Sequence, residues 1–116
     1  MLVNILVVED DPLVAMMLED YLDLLGRKTV AVVEDVASAL AAIADLQIDA
    51  AFVDLHLAGS EKSEPIAEAL YKKQISFLVC TGGFVQPATP IYEGRPVLMK
   101  PFNFEKIEEG LRALQA

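Results

Sequence analysis

Two short apolar runs end abruptly in acid: Ile5-Leu6-Val7-Val8 gives way to Glu9, Asp10 and Asp11, and Ala50-Ala51-Phe52-Val53 gives way to Asp54. Neither run is long enough for a helix, and unbroken apolarity of this length marks a strand buried on both faces. Each such strand hands its acids to whatever lies beyond its C-terminal end. A further strand ends in Thr81, and another in Lys100-Pro101. Separate segments thus deliver carboxylates, a hydroxyl and an ammonium to one edge of a sheet, a mixture suited to a divalent cation and a phosphoryl group.

Between these runs the apolar spacing becomes helical. Leu13, Met17, Tyr21 and Leu25, with Val14, Leu18 and Leu22 beside them, form one stripe, opened by Pro12 and closed by Gly26. A β-branched run, Thr29–Val33, is followed by an alanine-rich helix over Ser38–Leu46 and the strand ending at Asp54. Pro65 opens a helix reaching Lys73, Ile75–Cys80 and Val97–Met99 read as strands, and Asn103 caps a last helix through Phe104, Ile107, Leu111 and Leu114.

Strands alternating with helical crossovers predict an α/β fold of three layers, a doubly wound five-stranded parallel sheet with helices on both faces. Ligands in such sheets sit beyond the carboxyl ends of the strands, where the strand order reverses. Asp10, Asp54, Thr81 and Lys100 all fall at ends of that kind. The stretch from Gly82 to Pro96 departs from the pattern, because Gly82, Gly83, Pro87, Pro90, Gly94 and Pro96 oppose a regular helix. It is expected to form an irregular or short fourth helix that offers Phe84, Ile91 and Tyr92 to a partner.

With 116 residues and 54% hydrophobic composition, the chain is expected to be one domain with one sizeable core and no tail. Its 18 acidic and 9 basic residues give a net charge of −9, which disfavours a nucleic-acid partner. No apolar run approaches the roughly 20 residues that span a bilayer, and no leader-like segment opens the chain, so a soluble cytoplasmic protein without a membrane partner is expected. Cys80 is the sole cysteine, which excludes an internal disulfide and reads as a buried strand residue.

Charge dictates the chemistry. Two ionised carboxylates about 5 Å apart at an effective dielectric near 20 repel by roughly 3 kcal/mol, so a cluster of acids calls for a proton or a counter-ion. Magnesium, a hard cation with oxygen ligands, answers that need. Asp54 is then placed to be a nucleophile that takes a phosphoryl group as an acyl phosphate. Lys100 offers a cation and Thr81 a hydrogen bond to the phosphoryl oxygens. Asp11, directly before Pro12, reads as a helix-start acid and is left out of the metal site. His56 is not expected to use its imidazole as a ligand, since no second histidine accompanies it and oxygen ligands suit magnesium.

The pieces Val7-Val8-Glu9-Asp10-Asp11-Pro12, Val53-Asp54, Val79-Cys80-Thr81-Gly82 and Met99-Lys100-Pro101-Phe102 stand in an order and at separations that resemble the receiver domains of two-component response regulators, the CheY-like fold. The resemblance spans the whole chain. It implies a sheet in the order 2-1-3-4-5 and phosphorylation of Asp54 by a sensor histidine kinase or a histidine phosphotransfer protein, with magnesium required. By position in the motif, Asp10 resembles the direct metal ligand and Glu9 the acid acting through water. Asp54 completes the metal site together with the backbone carbonyl of His56, and the His56 side chain is expected to lie near it. Thr81 resembles the switch hydroxyl and Lys100 the phosphate-contacting lysine, and the family pattern implies a cis bond before Pro101.

Two departures narrow the resemblance. Val97 stands where many receivers carry the aromatic residue that swings inward on activation, so that switch is absent. Thr81-Gly82-Gly83-Phe84, with Glu61-Lys62-Ser63-Glu64-Pro65 in place of a Gly-x-x-Gly turn, is similar to a subclass of stand-alone receivers of alphaproteobacterial signalling. Such a chain is expected to carry no output domain and to act through an unknown downstream protein. Two other readings stay open: a receiver-like interaction module that never carries phosphate, and a haloacid-dehalogenase-like phosphatase, although the latter wants Asp-x-Asp where this chain has Asp54-Leu55-His56.

Overall fold

The computed structural model describes residues 2–57, 61–82 and 90–115. Its elements are β1 (Asn4–Val8), α1 (Pro12–Leu24), β2 (Lys28–Val33), α2 (Val36–Asp45), β3 (Ala50–Asp54), α3 (Glu64–Lys72), β4 (Ser76–Thr81), a 3-10 turn (Pro90–Tyr92), β5 (Val97–Met99) and α4 (Phe104–Gln115). The strands form one parallel sheet in the order β2-β1-β3-β4-β5. This is the order that the resemblance to CheY-like receivers implies.

The apolar runs are strands because both of their faces are covered. Leu6, Val8, Ala51, Val53, Phe77 and Val79 point to the side of α2 and α3, where they meet Ala39, Ile43, Ile66 and Leu70. Their sequence neighbours Ile5, Val7, Ala50, Phe52, Leu78 and Cys80 point the other way, onto Leu18 and Leu22 of α1 and Ile107 and Leu111 of α4. The two-residue period of a strand thus divides one apolar run between two cores. At Gly110 the backbone of α4 approaches β4 so closely that an added Cβ would lie 2.8 Å from Leu78 Cδ2.

Local signals set the helix ends. Asp11 caps α1 through Oδ1, which accepts from Leu13 N at 2.9 Å. Gly26, at φ +76°, ends it: Arg27 N donates to Leu22 O and Gly26 N to Asp23 O, a paired C-terminal closure that favours glycine. Helix α2 begins at Val36, earlier than the expected Ser38, because Asp35 caps it by accepting from Ser38 N at 2.7 Å. Among the described residues between Thr81 and Val97, the only helical element is the 3-10 turn at Pro90–Tyr92; residues 83–89, including Phe84, lie outside the described set. Also among the described residues, no helix is long and apolar enough to cross a membrane.

Candidate functional site

The strand order reverses at β1, which has β2 on one side and β3 on the other, so the crossovers leave the β1–β3 edge in opposite directions. Glu9 and Asp10 follow β1, Asp54 ends β3, Thr81 ends β4, and Lys100 follows β5. Parallel register puts these positions side by side: Val8 pairs with Val53, Asp54 with Cys80, and Thr81 with Met99. Lys100 N donates to Thr81 O at 2.8 Å, extending the ladder one step past β5. The Lys100-Pro101 peptide bond is cis, as the family pattern implies.

Carboxylate oxygens of Glu9, Asp10 and Asp54 all lie within 4.8 Å of one another. Glu9, Asp54 and Thr81 are buried, at 3%, 3% and 2% exposure, whereas Asp10 is half-buried. Lys100 Nζ sits 2.7 Å from Glu9 Oε1 and 3.1 Å from Asp54 Oδ2. The one ammonium thus pairs with a buried oxygen of each acid. Asp54 Oδ1 accepts from His56 N, and Glu9 Oε2 from Asp11 N, both at 3.1 Å.

Burial pushes the Glu9 carboxyl up to about 7; Lys100 and the Asp11 N–H pull the other way, while Asp54 adds to the rise. For Lys100, burial works against the charge, but Glu9 and Asp54 outweigh it and hold the ammonium above its ordinary value. The cluster is therefore short of positive charge, with one lysine shared between two buried acids. A set of three convergent carboxylates that share a single lysine has the chemistry of a hard-cation site. Magnesium fits these residues. A cleft of about 360 Å³ opens beside them, lined by Glu9, Asp10, Glu34 and Asp35 among others.

Asp11 spends its carboxylate on α1 and stays out of the cluster, as expected. His56 is exposed, and its backbone pairs with Lys62 in an antiparallel bridge. Cys80 is a buried strand residue whose thiol is pushed up by burial, with Asp54 and Glu9 adding to the effect. One expectation is overturned: Tyr92, expected to be offered to a partner, is buried at 4% exposure in the core beneath α2 and α3, and Ile91 packs partly buried against the same core. The reason is polar as well as apolar, since the Tyr92 hydroxyl has a buried partner in Ser63 at 2.6 Å. In the sequence Ser63 stands only as a member of the Glu61-Lys62-Ser63-Glu64-Pro65 run, and nothing there marks its distant partner.

A sheet in this order, with acids at the reversal point and a lysine opposite them, defines the class of doubly wound α/β domains that hold a ligand beyond the strand ends. No protein-family model matches the chain, and no curated protein does. Among solved structures, it is similar to SdrG from Sphingomonas melonis Fr1, with 47% identity over 99% of this chain and 98% of that one and a TM-score of 0.90. The BeF3-activated conformation of SdrG from Pseudomonas melonis Fr1 also matches, at 47% identity over 97% and 96% of the chains with a TM-score of 0.84. A CheY-like response regulator receiver domain from Methylobacillus flagellatus shares the fold, at 24% identity over 98% and 99% of the chains and a TM-score of 0.81. The chain belongs to the receiver domains of two-component response regulators.

Proposed function

We propose that Asp54 accepts a phosphoryl group from a histidine of a sensor kinase or phosphotransfer protein, with magnesium held by Glu9, Asp10, Asp54 and the carbonyl of His56, and that the modified chain changes its hold on a downstream protein. The observation that carries this reading is the gathering of the Glu9, Asp10 and Asp54 oxygens within 4.8 Å, with Lys100 bridging two of them. The likeness to a BeF3-activated relative supports it, because trifluoroberyllate has the tetrahedral shape of a phosphoryl group.

In the transfer, a carboxylate oxygen of Asp54 attacks phosphorus, the phosphorus–nitrogen bond of the donor breaks, and the imidazole leaves with its electron pair. An acyl phosphate on Asp54 results. Magnesium, when bound, offsets the charge of the carboxylates and of the phosphoryl oxygens. Lys100 is already within reach of Asp54 and supplies a cation to the new oxygens. Thr81, one strand over and buried at the same edge, supplies its hydroxyl. The phosphoryl group adds about −1.5 to −2 charge to a site that is already acidic, so the cost of leaving it unpaired favours drawing Lys100 and Thr81 toward it.

Incubation with acetyl phosphate and magnesium tests the reading. The expected result is one base-labile phosphoryl group per wild-type chain, none on Asp54→Asn, and none without magnesium. A wild-type chain that takes up no phosphoryl group overturns it in favour of a silent interaction module. Steady multiple turnover of phosphate esters overturns it in favour of a phosphatase.

A further inference from the structure

Ser63, at the start of α3, is buried in the core and does not cap the helix it precedes. Ser63 stands at the N-cap position of α3, yet its side chain makes no bond to the helix. Its hydroxyl is completely buried and lies 2.6 Å from the Tyr92 hydroxyl, across to the 3-10 turn that precedes β5. The sequence thus gives up a side-chain cap in order to join two segments 29 residues apart. Burial holds the Tyr92 phenol in its neutral form; the Ser63 contact opposes that shift, and Glu64 and Glu68 add to it.

Named bonds lead from the phosphoacceptor to this pair. Asp54 Oδ1 accepts from His56 N. His56 is bridged to Lys62, and Leu57 N donates to Glu61 O at 3.4 Å. Lys62 adjoins Ser63. The same strip is pinned from the other side, since Glu61 Oε1 accepts from Val36 N at the start of α2, at 3.1 Å. At the far end the turn is clamped to β4: the Arg95 guanidinium lies 4.3 Å over the Phe77 ring and donates from Nε to Ile91 O, and Arg95 N donates to Tyr92 O. Between these clamps, the Ser63–Tyr92 bond is the polar link from the loop to the turn among the described residues.

We propose that the Ser63–Tyr92 hydrogen bond is a latch through which a change at Asp54 reaches the Pro90–Arg95 turn, so that Tyr92, anchored at its hydroxyl, carries the signal in a chain with valine at position 97. The proposal rests on the phosphoacceptor reading. New oxygens on Asp54 compete for His56 N, the His56–Lys62 pairing adjusts, and Ser63 either keeps or releases Tyr92. A buried hydroxyl pair is suited to this role because breaking it leaves two polar groups unpaired in the core, which sets the bonded and broken arrangements apart in energy.

Backbone amide spectra recorded with magnesium, before and after addition of trifluoroberyllate, test the latch. In the wild type, amides beside Asp54, Thr81 and Lys100 are expected to shift, and those of Tyr92, Glu93 and Arg95 to shift with them. In Tyr92→Phe and in Ser63→Ala the first group is expected to shift as before and the second to lose at least half of its response, whereas Ser63→Thr, which keeps the hydroxyl, retains it. The double variant should lose no more than either single one. An unchanged response of Tyr92, Glu93 and Arg95 in both single variants, or no response there in the wild type while the Asp54 group shifts, overturns the latch alone. No shift anywhere in the wild type overturns the phosphoacceptor reading, and the latch with it.

Discussion

The Lys100 ammonium lies closer to Glu9, at 2.7 Å, than to Asp54, at 3.1 Å. The nearest cation to the candidate phosphoacceptor is therefore held chiefly by a different acid. Any event that lowers the negative charge on Glu9, or raises it on Asp54, shifts the balance of this shared lysine.

Replacing Lys100 by Met leaves two buried carboxylates without their cation. The variant is expected to lose about 1–3 kcal/mol of stability in chelator at pH 8, below the cost of a fully dry pair because the lysine side chain is 23% exposed. Urea unfolding measures it. The loss should shrink as pH falls through 7, where Glu9 takes up a proton.

Glu9 itself gives a pH signature of known sign. Its folded-state value of about 7 stands above the ordinary 4.5, so between these pH values the folded chain binds more protons than the unfolded one. The stability tied to this group is present in full below about 4.5 and is lost as pH rises through 7. Glu9→Gln removes the titration. In chelator the variant is expected to match the wild type near pH 4.5 and to exceed it above pH 7, and chemical unfolding at a series of pH values reads the difference.

Asp10 lies in the carboxylate cluster whereas its neighbour Asp11 caps α1, and paired variants separate the two. Asp10→Asn removes one of three mutually repelling charges, so the metal-free chain should gain about 1 kcal/mol, whereas magnesium affinity should fall tenfold or more. Calorimetric titration with magnesium and unfolding in chelator report the two effects.

Asp11→Ala should do the reverse. Loss of the cap over Leu13 N is expected to cost about 1 kcal/mol, with magnesium affinity within about twofold of the wild type. A large drop in affinity would place Asp11 in the cation site.

Much of this fold could be read along the chain because its signals are local. A run such as Ile5–Val8 is apolar at every position since the sheet is covered on both faces, and the stripe from Val14 to Leu25 repeats at the helical period since only one side of α1 meets the core; Leu13, expected to open that stripe, is instead exposed at 71%, because it lies in the first turn, beyond the edge of the core. Strand ends followed by acids, a hydroxyl and a lysine were legible for the same reason: a parallel sheet sends every strand's C-terminus to one edge. Tyr92 was misread because an isolated aromatic residue among glycines and prolines has no period to show whether it faces in or out.

What the sequence determined by itself was the order of elements, the strand ends at which the acids, Thr81 and Lys100 stand, and caps such as Asp11 that reach only two residues along the chain. What tertiary structure alone decided was which distant partners those groups hold: Glu9 for Lys100, Val36 for Glu61, and Tyr92 for Ser63. Short-range spacing carries periodicity and capping because they are properties of a single helix or strand. A bond between segments 25 or 29 residues apart leaves no mark in that spacing, since it exists only once packing has brought the two backbones together.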